Sequence, residues 1–111
     1  MDEMKYEVRL QARARTQLYN AALWWAENHS TEQAVRWLEG FESALTILAH
    51  NPERWPHAME SDLVPFEIRE MTYGLGRRKS HRVVFEVREK HVVVYAIRHL
   101  AQDTLTSEDF S

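Results

Sequence analysis

The chain has 111 residues, 44% hydrophobic and 11% aromatic, with 14 Lys and Arg against 17 Asp and Glu and no cysteine. That length fits one domain over 1–111, four tryptophans argue against disorder, and the lack of cysteine excludes a disulfide framework and a thiolate nucleophile. The opening MDEMKYEVRL lacks the basic and apolar regions of a secretory signal, and no run approaches the roughly 20 apolar residues of a membrane span, so the chain reads as a cytoplasmic protein with no membrane partner.

In chain order, residues 6–10 alternate Tyr6, Val8 and Leu10 with Glu7 and Arg9, the period-two pattern of a half-buried strand. From Ala12 to about Asn28, Ala14, Leu18, Ala21, Ala22 and Trp25 recur at helical spacing. Ser30 stands three residues before Gln33, a capping box that opens a second helix. Its stripe of Ala34, Trp37, Leu38, Phe41, Leu45 and Leu48 runs until Asn51-Pro52 ends it. Two such helices joined by a tight turn predict an antiparallel hairpin. Trp24, Trp25 and Trp37 read as core packing.

A proline-punctuated connection, 52–65, leads to a second strand at 66–73, with Phe66, Ile68 and Met71 inward. The stretch 74–80, GLGRRKS, is a glycine-flexed basic loop. RVVFEVR and VVVYAIR then read as paired antiparallel strands, and the second, apolar on both faces, reads as a central strand. The fold class expected is α+β, with an N-terminal strand and an antiparallel two-helix hairpin packed on one face of a mainly antiparallel sheet of about four strands. The other sheet face is the expected working surface.

Charge is unevenly distributed. Residues 1–65 sum to −4, residues 66–100 to +4 and the acidic tail 101–111 to −3. A positive block between acidic flanks marks a surface for phosphate or an acidic partner chain. The six histidines show no zinc-ligand spacing, Gly74-Leu75-Gly76 lacks the rest of a phosphate loop, and Ser80-His81 has no acid to complete a triad, so no metal and no cofactor is expected. What remains is a set of cations: Arg69, the loop residues Arg77, Arg78 and Lys79, Arg82, and Arg98 with His99. Arg82 and Arg98-His99 start and end neighbouring antiparallel strands, so they gather at one end of the sheet. A two-residue turn would place Arg82 beside Ile97 and His99; a three-residue turn would place it opposite Arg98.

Strand, two helices and basic strands ending HRVVFEVREKHVVVYAIRHLAQD resemble the RelE/ParE toxins of bacterial type II toxin-antitoxin modules. Arg82-Val83-Val84-Phe85 is similar to the family's arginine-bearing strand, and Ile97-Arg98-His99 to a stretch common in ParE-like members. The resemblance implies a growth-inhibiting, plasmid-stabilisation type toxin held inactive in a hetero-oligomer with a cognate antitoxin. It implies one of two activities: ribosome-dependent messenger-RNA cleavage, or poisoning of DNA gyrase. If the chain were a ribonuclease, Arg69 and Arg82 would match its catalytic cations. Glu67 stands where another cation is expected, and Gln102 and about Glu108 stand where the RelE pattern has Arg and Tyr. Cleavage needs a base, an acid and phosphate-stabilising cations, so the resemblance favours the gyrase-binding, non-catalytic type. A scaffold that binds its antitoxin without toxicity would share the same fold.

Overall fold

The computed structural model describes residues 5–102 and 104–110. A first strand, β1 (Glu7–Leu10), leads into helices α1 (Ala12–Asn28) and α2 (Thr31–Leu48). Strands β2 (Arg69–Tyr73), β3 (His81–Val87) and β4 (His91–His99) complete a four-stranded sheet ordered β1-β4-β3-β2. β1 runs parallel to β4 and the other pairs are antiparallel. This is the α+β arrangement expected, with β4 as an inner strand. Ser30 caps α2 as the sequence indicated, its hydroxyl accepting the Gln33 N–H at 3.1 Å. Asn51, in the left-handed conformation at φ 51°, turns the chain after α2 into the short 3-10 turn Pro52–Arg54.

The helix hairpin covers one sheet face. Trp37, Phe41 and Leu48 from α2 and Ala14 and Leu18 from α1 pack on Val83, Phe85, Val92, Val94 and Ile97. The second strand begins at Arg69, so Phe66 and Ile68 precede it. Their destination also differs from expectation: Met71 joins the helix-side core, whereas Ile68 and Phe66 turn to the opposite face.

The opposite face is not a bare working surface. Val84, Val93, Tyr95 and Ala96 form a second apolar cluster there with Ala58 and Ile68, roofed by Leu105 and Phe110 of the tail. The acidic segment 101–111 is thus only partly a tail. Its 3-10 turn Ser107–Phe110 folds back on β4, and Arg13 from α1 ties it down through Asp109 at 3.2 Å and the Glu108 carbonyl at 2.9 Å. No helix among the described residues is long and apolar enough to cross a membrane.

The hairpin register contains an unexpected step. Arg88 N–H donates to the His91 carbonyl at 2.8 Å, and Val87 faces Val92, as a two-residue turn requires. Beyond Phe85 opposite Val94 the register shifts, so that Val84 faces Ala96 and Arg82 faces Arg98. A β-bulge therefore absorbs one residue of β4, and Tyr95 and Ala96 both end in the second cluster. The turn is two residues long, yet Arg82 has the partner predicted for three.

Candidate functional site: a cleft beside the end of the hairpin

The arginines of the sequence separate into two groups. Arg82 is buried, its side chain 6% exposed, and it ion-pairs with Glu60 and Glu70. Its guanidinium donates to Glu60 at 2.9 Å through one nitrogen, to the second Glu60 oxygen through the other, and to Glu70 at 2.7 Å. Glu60 Oε2 also accepts the Leu105 N–H at 2.9 Å, which pins the tail to the same clamp. Burial raises the Glu60 pKa, but hydrogen bonds from Arg82 and Leu105 outweigh it and leave the carboxyl below its usual value. The carboxylates also offset the repulsion of two arginines placed opposite each other.

Arg69 lies at the far end of the sheet, paired with Phe85, away from the basic loop. It donates to the Trp55 carbonyl at 2.5 Å and bonds Glu67, whose carboxyl is held low by a hydrogen bond from His57 and by the Arg69 charge. The structure therefore does not bring Arg69 together with Arg98 and His99.

The remaining cations stand near one cleft. Arg77, Arg78 and Lys79 are exposed in the loop that ends at Ser80, with Gly76 at φ +75° allowing the turn. Ser80, His81, Arg98 and His99 then line a cleft of about 640 Å³ whose far wall is α1, through Gln17, Asn20, Ala21, Trp24 and Trp25. Ser80 accepts the Leu100 N–H through its carbonyl, which closes the loop against the end of β4.

Within this cleft His81 is buried between the Trp37 and His99 rings, at centroid distances of 5.1 and 5.2 Å. Burial and the neighbouring His99 push its pKa down to about 4, so it is neutral at pH 7. Ser80 Oγ lies 2.8 Å from His81 Nδ1. The hydroxyl thus lies beside a buried ring of lowered basicity, and no described cleft residue is a carboxylate. Among the described residues no three metal-ligating side chains converge.

Sequence reasoning missed α1's part in this cleft. Trp37 is fully buried as predicted, but Trp24 is 53% exposed and stands edge-on to Trp25 at 5.4 Å. The signal was available, since Trp24 lies outside the Ala14, Leu18, Ala21, Trp25 stripe. Gln17 and Asn20 carried no signal, and Gln102 stood out only as a departure from the family pattern.

Comparison with known proteins agrees with this architecture. No curated protein matches the sequence. A solved structure described as the chromosomal ParDE TA system from P. aeruginosa is similar in fold, with a TM-score of 0.66 at 17% identity over 86% of this chain and 97% of that one. The model of the ParE toxin of the type II toxin-antitoxin system parDE matches residues 8–104, which include every strand and both helices from Val8 onward. The chain belongs to the ParE toxin family of type II toxin-antitoxin systems.

Proposed function

We propose that this toxin inhibits growth by binding a replication enzyme such as DNA gyrase, not by cleaving RNA, and that a cognate antitoxin neutralises it by covering the docking surface. The observation that carries this reading is the state of Arg82. The arginine that would stabilise a phosphorane is enclosed by Glu60 and Glu70 and lies beneath a face sealed by Leu105 and Phe110. A guanidinium bound by two carboxylates has little capacity left for phosphate.

The docking surface is formed by the loop cations Arg77, Arg78 and Lys79 together with Arg98 and His99. Arg69 and Arg82 serve the fold. Neutralisation then requires only that the antitoxin occupy or shield the cationic end of the sheet.

Expression of the chain without antitoxin, followed by assays of gyrase supercoiling and messenger-RNA integrity, tests the proposal. Inhibited supercoiling with intact transcripts is expected. Ribosome-dependent transcript cleavage would refute it, and normal growth would leave an antitoxin-binding scaffold.

A further inference from the structure

The cleft between α1 and the end of the hairpin has the size of a small-molecule site, about 640 Å³ against the roughly 300–1,000 Å³ usual for one. Its walls are aromatic. Trp24 and Trp25 stand edge-on at 89° with ring centroids 5.4 Å apart, so they form a corner on the α1 side. His29, outside the lining, packs on both indoles at 5.5 and 4.7 Å and holds that corner in place. On the strand side, His81 and His99 are register partners with ring centroids 5.2 Å apart. Trp24 is 53% exposed, which leaves an indole face open to stacking. A flat ring in such a corner lies face-on to one indole and edge-on to the other, the two arrangements that aromatic pairs prefer.

The polar groups held in place at the cleft are donors. Gln17 Oε1 accepts the Ile97 N–H at 2.8 Å, and Gln102 Oε1 accepts the His99 N–H at 2.7 Å. The β4 backbone thus orients both carboxamides and leaves their NH2 groups to donate. No Lys, Asp or Glu lines the cleft. Arg98 gives it no free cation, because its register partner is Arg82 and its charge acts on Asp109 of the tail, across the sheet. His81, neutral at pH 7, adds no charge either. An aromatic cleft with positioned donors and no unopposed charge selects an uncharged planar molecule whose edge carries acceptors.

Among planar molecules of this size, an oxopurine has two adjacent acceptors, N7 and O6, on one edge, where adenine has an amino donor beside N7. We propose that the cleft binds an oxopurine nucleoside, its bicyclic ring in the Trp24–Trp25 corner and its acceptor edge on the NH2 groups of Gln17 and Gln102. This is a binding activity separate from the docking surface, and it stands or falls independently of the supercoiling assay.

Inosine is the probe, titrated into the full-length chain by calorimetry beside adenosine. It is expected to bind about tenfold more tightly than adenosine, whose amino group would meet the donors of the cleft. Trp24→Ala, at an exposed position, should weaken inosine binding about tenfold by removing one stacking face. Gln17→Glu combined with Gln102→Glu keeps the oxygens that accept from Ile97 and His99, removes both donors and should abolish or reverse the preference for inosine. Arg36→Glu, on an exposed position of α2 outside the cleft, should leave affinity unchanged. Inosine monophosphate should bind no more tightly than inosine at either about 50 mM or about 0.5 M salt. Tighter, salt-dependent binding of the monophosphate would overturn the uncharged ligand. Unchanged inosine affinity in the folded Trp24 and glutamine variants would overturn the placement, and no binding of inosine up to about 1 mM would overturn the proposal as a whole.

Discussion

Arg82 and Arg98 are register partners on neighbouring strands, yet they belong to regions of opposite character. Around Arg82 the chain closes in: two carboxylates, the tail and an apolar cluster leave the side chain 6% exposed. Around Arg98 and His99 the side chains are half-buried and exposed, with His99 stacked edge-on against His81 and the Arg98 charge acting on Asp109 of the tail. The same residue type at register-paired positions is buried in one place and only half-buried in the other. What encloses Arg82 is Glu60, an acid from an irregular connection, together with Glu70.

The largest effect that would break this contrast comes from Glu60→Ala. It leaves a buried guanidinium with one partner and deprives the Leu105 N–H of its acceptor, so a loss of about 3–5 kcal/mol is expected in urea unfolding. If Glu60→Ala unfolds no more readily than wild type, the clamp is not structural. Phe110→Ala tests the roof and should cost about 2–3 kcal/mol, less than a fully enclosed phenylalanine because the residue keeps 9% of its surface exposed. Gly40→Ala probes the helix-side core: a Cβ there would meet the Tyr73 hydroxyl at 2.4 Å and disturb its 2.9 Å bond to the Trp37 carbonyl, costing about 1–3 kcal/mol.

Acid should act on both regions, in different windows. His81 has its folded pKa pushed from 6.5 down to about 4, so the unfolded chain takes up the proton first. Its contribution to stability is complete above about pH 6.5 and is lost as pH falls toward 4. Glu60 has a lowered pKa, so its contribution holds above the ordinary glutamate value of 4.5 and is lost only as pH falls through its folded pKa. Replacing His81 with Phe should flatten the upper part of the stability–pH curve alone, as followed by thermal melts from pH 7 to pH 4. The smallest effect is expected from Arg77→Ala in the exposed loop, within about 0.5 kcal/mol in stability and visible only in target binding.

Much of the architecture was legible because its signals are local and periodic. Val8 alternating with charge, the α1 and α2 stripes, the Ser30-Gln33 cap and the apolar run of β4 each reported on their own neighbourhood. The bulge was not legible: in VVVYAIR every residue up to Ile97 is apolar, so no alternation breaks where Tyr95 and Ala96 share a face. The tail misled for a related reason. Leu105 and Phe110 are isolated among acidic and small polar residues, and nothing local shows that they find Ala58 and Val84. Arg82 was singled out as a candidate site cation at the start of a strand. Its role depended on Glu60, 22 positions away in sequence, a pairing that spacing alone does not encode.

Glu60 joins three segments that are distant along the chain: the connection after α2, the start of β3 and the returning tail. Such a three-way junction makes local opening collective. Lifting the tail takes the Leu105 N–H from Glu60 and uncovers the buried clamp, so the amide of Leu105 should exchange with solvent deuterium as slowly as its β3 neighbours rather than fray. The far side of the sheet would then behave as one foldon with the strands it covers, and motion would concentrate in the basic loop, next to the surface that meets partners.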